Sequence, residues 1–159
     1  MCDYSLHGLP NRLAVEGEPL AVHQFPTGTL GLVSPLDVQA LTAKSQEQAR
    51  AGFWSLVRRW FSTEESPPAV CIPPGARLLL RELPQPLQQK LGVGEEEEVT
   101  FIQQDVPAYA HRDAVRFGNG QEILLQKLAV GQQVDVLCLA PSEVAPGPSP
   151  FVAAFSEGT

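Results

Sequence analysis

Four side chains of the 159-residue chain are of the type that binds borderline metals: Cys2, His7, Cys71 and His111. Two thiolates and two imidazoles make a donor set suited to zinc or another transition metal, and Asp113 could hold the second imidazole nitrogen of a ligand as an outer carboxylate. Removal of Met1 would give Cys2 an α-amine beside its thiol, a ready five-membered chelate. Against this stands the spacing. Structural zinc sites usually carry paired Cys-x2–4-Cys hooks, which are absent, so the plain alternative is two loop histidines and one core cysteine. A metal held this way would be structural or sensory, since no recognisably spaced carboxylate stands by as a general base.

The same residues permit a nucleophilic reading, with Cys71 as nucleophile, His111 as its base and Asp113 or Asp105 as the orienting acid. The flanking Val70 and Ile72 speak against it, because an apolar setting raises a thiol pKa. Dinucleotide, phosphate-loop, zinc-protease and serine-hydrolase motifs are missing, so the sequence leans away from an enzyme. His23 alternates with Ala21 and Phe25 and reads as a face-packing histidine. Cys138, in step with Val134 and Val136, reads as core.

A third set of residues suits binding. Phe53, Trp54, Trp60 and Phe61 include both tryptophans of the chain and lie among Arg50, Arg58 and Arg59. Large aromatics beside arginine are interface material, although an apolar helix face of this kind also covers the open side of a sheet. The segment 151–155, Phe151-Val152-Ala153-Ala154-Phe155, is a second candidate for docking on a sheet edge or a partner.

The elements that must position these residues are mostly short strands. Residues 20–25 and 29–33 are apolar and β-branched runs around Pro26-Thr27-Gly28, and 69–72 and 77–82 read as neighbouring strands across Pro73-Pro74-Gly75. Runs at 113–117 and 122–128 flank Gly118-Asn119-Gly120, a hairpin signal, with further strands at 99–103 and 134–139. Ser34-Pro35 opens a helical insertion of about 35–61 within the span 34–66. Pro86 to Gly92 reads as a short helix closed by glycine. Glu95-Glu96-Glu97-Glu98 reads as a solvated loop. The fold class is therefore mainly β, a small antiparallel sandwich or partly open barrel with one helical insertion. One domain is expected over 1–140, with a Pro-rich mobile tail over 141–159.

Composition sets limits on partners and compartment. Eleven Lys and Arg against eighteen Asp and Glu leave a net charge of −7, which opposes binding to nucleic acid and weakens the case for an anionic membrane. No run approaches the roughly 20 apolar residues that span a bilayer, and the opening residues lack a signal-peptide pattern. Three widely spaced cysteines suit thiols in a reducing compartment, so a cytoplasmic setting is expected. Oligomeric state is not legible.

The opening Met1-Cys2-Asp3-Tyr4-Ser5-Leu6-His7, the nearby Arg12-Leu13-Ala14, and the stretch from His111-Arg112-Asp113-Ala114 to Gly120-Gln121 resemble a family of short bacterial proteins that begin Met-Cys-Asp-Tyr-Ser-Leu. The resemblance covers the first fifteen residues and the span from Cys71 to Leu139. It implies a bacterial, cytoplasmic setting and brings no activity with it. The matching stretches contain Cys2, His7, Cys71 and His111, which places the metal reading ahead of the Cys–His enzyme.

Overall fold

A computed structural model describes residues 8–49, 66–107 and 109–139. The first element is a three-residue strand, β1 (Asn11–Leu13), followed by β2 (Pro19–Gln24), β3 (Leu30–Val33) and the helix α1 (Pro35–Ala49). After the segment 50–65 come β4 (Ala69–Cys71), β5 (Arg77–Arg81), a seven-residue helix α2 (Gln85–Leu91), β6 (Glu97–Gln103), β7 (Asp113–Phe117), β8 (Glu122–Leu124), a 3-10 turn (Leu125–Lys127) and β9 (Gln133–Cys138). Seven strands form one antiparallel sheet in the order β3-β2-β9-β5-β6-β7-β8, curled into a half-barrel, as the mainly β reading requires.

Strict alternation makes these strands. Leu20 and Val22 of β2, Leu78 and Leu80 of β5, Val99 and Phe101 of β6, and Val134 and Val136 of β9 are all buried in one principal core, while Arg77, Arg81 and Asp135 face out. A strand with a period of two sends one set of side chains to each face, so this pattern fixes the register of every pairing. A smaller core joins Phe25, Val33 and Ala69, with Leu9 and Val38 packed against it.

Several expectations change. The runs 69–72 and 77–82 are both strands but not neighbours: β4 pairs in parallel with β1, in the register Asn11↔Ala69 to Leu13↔Cys71. Pro73 and Pro74 cannot donate to a hairpin ladder, and the chain instead turns so that Gly75 N donates to Phe101 O (2.8 Å) and Phe101 N donates to Ala76 O (2.8 Å). The run 122–128 is strand only to Leu124, after which it closes into the 3-10 turn.

Half of the acidic run is the solvated loop expected, with Glu95 and Glu96 exposed in a bend, and the other half is strand. Glu97 and Glu98 open β6, Glu98 pairs with Arg77 at 2.5 Å, Glu96 pairs with Arg81 at 2.9 Å, and Glu97 Oε1 accepts Gly94 N at 2.7 Å. Hydrogen bonding to Arg77 lowers the Glu98 pKa. Cys138 is in β9 as expected but only half-buried, because a register shift opposite Arg77/Leu78 inserts an extra residue and breaks its alternation with Val134 and Val136. His23 does pack on a face, edge-on to Phe25 with ring centroids 5.2 Å apart.

The helix 85–91 is present and ends as read, with Gly92 at φ 66. Asn119, at the tip of the β7–β8 hairpin, adds a bond from Nδ2 to Leu91 O (2.8 Å), so the hairpin turn also caps the helix. Of the helical insertion, the described part is α1. No described helix is long and apolar enough to cross a membrane.

Candidate functional site

Two of the sequence-selected residues are brought together. Cys71, the last residue of β4, and Asp113, the first of β7, line one cavity of about 10 Å³ with Gly31, Leu32, Phe101 and Leu125, room for about one water molecule. β4 lies beside β3, and its end shares the cavity with the start of β7. Asp113 is 6% exposed and stands opposite Gln103 in the β6–β7 register, accepting its Nε2 at 2.9 Å. A buried carboxylate must be hydrogen-bonded in this way, since its desolvation is otherwise costly. His111, two residues earlier, is at the surface.

Cys71 is disulfide-bonded, while Cys138 is a thiol. This corrects the expectation of three thiols or ligands. An odd count of cysteines does not forbid one pair, and in the paired state Cys71 is neither a thiolate ligand nor a nucleophile. Among the described residues, no three His, Cys, Asp or Glu side chains converge as a metal centre would require. Cys2 and His7 lie outside the described residues, as do Phe53, Trp54, Trp60, Phe61 and the segment 151–155.

The most developed polar cluster is one that the sequence did not single out. Arg12 of β1 reaches two carboxylates at once. Its Nε and Nη2 donate to Asp37 Oδ2 at 3.1 and 3.0 Å, its Nη1 donates to Glu18 Oε2 at 3.1 Å, and its Nη2 also meets Glu18 Oε1. Glu18 further accepts the Val15 amide at 3.1 Å. The Arg12 hydrogen bond, with smaller help from Val15 and Ser34, holds the Glu18 carboxyl below the ordinary range, and Glu18 in turn raises the Arg12 pKa. Asp37 sits in the first turn of α1, where a negative charge complements the helix N-terminus. The cluster fastens the start of α1 to β1 and β2. Ser34-Pro35 was the signal for that helix start, but nothing in the spacing of Arg12 announces its two partners.

An open groove of about 600 Å³ crosses the outer face of β6 to β8, lined by polar side chains including Gln103, Gln104, Asp105, Arg116 and Glu122. Arg116 Nε donates to Glu122 Oε1 at 2.8 Å and lowers its pKa, and Gln104 adds a 3.3 Å bond to the same carboxylate. Arg116 and Glu122 offset each other and Asp105 adds one further carboxylate, so the lining holds two acids and one base and no cluster of like charges. No family model, no curated protein and no solved structure matches the chain.

Proposed function

We propose that the protein is a protein-interaction module whose helical insertion carries the binding residues Phe53, Trp54, Trp60 and Phe61. One observation supports this above the others: among the described residues, the contacts that hold α1 to the barrel are at its start. Asp37 is tied to Arg12 and Val38 packs on the smaller core, whereas Gln39, Ala40 and the whole stretch 42–46 are exposed. A 15-residue helix extends about 22 Å, so its far end is carried well beyond its anchor. A helix with so little buried face gains little from packing on its own sheet, and suits an arm that carries the adjoining segment of chain to a partner.

Trp54 and Trp60 are the only tryptophans, so intrinsic fluorescence reports on this segment alone. The reading expects solvent-like, quenchable emission from the isolated protein and a Trp54→Ala/Trp60→Ala variant that keeps the barrel's stability while losing association. Shielded emission together with destabilisation by about 3–5 kcal/mol would instead make the segment part of the core.

A second reading, a zinc or other transition-metal site of structural or sensory role built from Cys2, His7, Cys71 and His111, applies to the reduced chain and is supported by the cavity that Cys71 shares with Asp113. Elemental analysis of reduced, untagged protein beside Cys2→Ser and His111→Ala variants tests it. One metal per chain, lost in both variants, supports it, and no metal overturns it. The disulfide also bears on compartment. Such bonds persist in oxidising surroundings and are rare in a reducing cytoplasm, so a cytoplasmic setting requires the Cys71 bond to be transient.

A further inference from the structure

The hairpin tip Gly118-Asn119-Gly120, between β7 and β8, holds two groups that can react with each other. An asparagine followed by glycine is the dipeptide most open to attack by a backbone nitrogen on its side-chain amide, because glycine has no side chain to hinder the approach. Asn119 is the one asparagine of the chain with that neighbour; the other, Asn11, precedes Arg12. Asn119 and Gly120 are both exposed, and a Cβ at Gly120 would meet nothing within 4 Å, so water reaches the tip.

In the folded chain both nitrogens of that reaction are engaged. Gly120 N, the nucleophile, donates to Phe117 O at 2.9 Å within the turn. Asn119 Nδ2, the group that must leave, donates to Leu91 O at 2.8 Å at the end of α2, and Asn119 Oδ1 accepts the Gln121 amide at 3.0 Å. Attack by Gly120 N ends the Phe117 bond and departure of Nδ2 ends the Leu91 bond. The closed tip therefore loses two hydrogen bonds on reacting that an open tip does not have, and the reaction waits for a local opening of the hairpin.

The step balances with water as the only co-reactant. Gly120 N bonds to Asn119 Cγ, its proton passes through water to Nδ2, the Cγ–Nδ2 bond breaks, and ammonia leaves. Water then opens the resulting five-membered imide at one carbonyl or the other, giving aspartate or its isoaspartyl isomer. Either product carries a carboxylate in place of the amide. It has no donor for Leu91 O, and its negative charge falls beside the Leu91 and Gly92 carbonyls that Nδ2 faced, at the end of α2 where a helix already carries partial negative charge.

We infer that Asn119 is a self-modification site: it reacts with the Gly120 amide while the hairpin tip is lifted from α2, and the carboxylate it becomes keeps the tip from fastening again. The closed tip protects its own asparagine. A completed reaction is a one-way record that hairpin and helix came apart, since the ammonia is lost. The site lies wholly within the barrel and is independent of what 53–61 binds.

Peptide mapping tests this on the full chain, incubated at mildly alkaline pH beside a synthetic peptide of residues 117–127, the fragment that trypsin releases between Arg116 and Lys127. A tip closed for about nine-tenths of the time converts about ten times more slowly than an open one, so the folded chain is expected to lag the peptide by at least that factor. Aspartyl and isoaspartyl forms of 117–127 are the expected products in both. Equal rates overturn the inference, and so does a chain in which Asn119 never converts. Asn119→Asp keeps the acceptor for Gln121 and removes the donor to Leu91. It is expected to speed amide exchange about tenfold at Gly92 and Val93, whose N–H groups both donate to Gln88 O, and to leave the β5 and β9 amides unchanged. Unchanged exchange at Gly92 and Val93 would also overturn the inference, because the product would then leave the fastening intact.

Discussion

Gln126 pairs with the backbone of Leu30 as a strand residue would: its Oε1 accepts the Leu30 amide at 2.9 Å and its Nε2 donates to the Leu30 carbonyl at 2.7 Å. Leu30 begins the edge strand β3, and Gln126 is in the turn just after the opposite edge strand β8. One side-chain amide thus joins the two ends of a seven-stranded sheet, supplying the hydrogen bonds that an eighth pairing would otherwise make. Leaving both Leu30 groups unanswered costs the desolvation of each, so Gln126→Ala is expected to lower stability by about 2 kcal/mol, read from the urea midpoint. Gln126→Glu keeps the shape but loses the donor to the Leu30 carbonyl. Its deficit is expected at neutral pH and to shrink as the introduced carboxyl protonates in acid.

Arg12 holds Asp37 and Glu18 along two adjacent edges of one planar guanidinium, with Nη2 shared between them. A lysine ammonium is a single point and cannot reproduce that fork, so Arg12→Lys is expected to cost about 1 kcal/mol despite keeping the charge. Glu18 has a folded pKa below its unfolded value. Its contribution is therefore full above the unfolded pKa of about 4.3 and is lost as pH falls through the lowered folded value. Urea midpoints between pH 3 and pH 7 are expected to drop less in Arg12→Lys than in the parent. An equal drop would mean that another carboxylate governs the acid limb.

The features legible in the sequence are those with local signals. The alternation of Leu78 and Leu80 with Arg77, Leu79 and Arg81 is complete within five residues, and Gly118-Asn119-Gly120 fixes a hairpin by itself. Asn11-Arg12-Leu13 shows no alternation to read, and its partner strand begins 58 residues later. The double role of Asn119, the bulge that half-exposes Cys138, and the Gln126 clamp all depend on residues brought together only by folding. At the candidate site, the apolar neighbours of Cys71 correctly indicated a buried setting, and the buried Asp113 is explained by its cross-strand Gln103. Disulfide bonding of Cys71 was not legible, because three cysteines at scattered positions carry no pairing pattern.

Glu82 is the only described non-glycine residue with positive φ, at 53°. It lies just past the end of β5, is exposed, and receives a 3.4 Å contact from Gln133 Nε2. A side chain in the left-handed region costs about 1 kcal/mol or more, which glycine avoids, although glycine loses more freedom on folding. Glu82→Gly is expected to raise stability by about 0.5 kcal/mol, whereas Glu82→Val, a β-branched residue poorly tolerated at this φ, is expected to lower it by at least 1 kcal/mol. Paired thermal melts of the two variants decide the sign.

The Cys71 disulfide leads to a further chemical prediction. With Cys138 a thiol and three cysteines in the sequence, Cys2 is the one other cysteine that composition leaves for Cys71. A peptide map of alkylated protein without reductant is expected to find the Cys71 peptide joined to the Cys2 peptide, and Cys138 alkylated. Cleavage by a dithiol consumes one dithiol and releases two thiols, and Cys71, 7% exposed beside the buried Asp113, is then expected to react with iodoacetamide far more slowly than Cys138. Cys2→Ser is expected to leave Cys71 as a buried thiol and to lower stability by about 2–4 kcal/mol, the usual cost of removing a bond that closes a long loop. The metal and disulfide readings part here. If the reduced wild-type chain takes up zinc and loses it on reoxidation, the thiols serve both states. If the reduced chain takes up none, the bond to Cys71 is a structural staple alone.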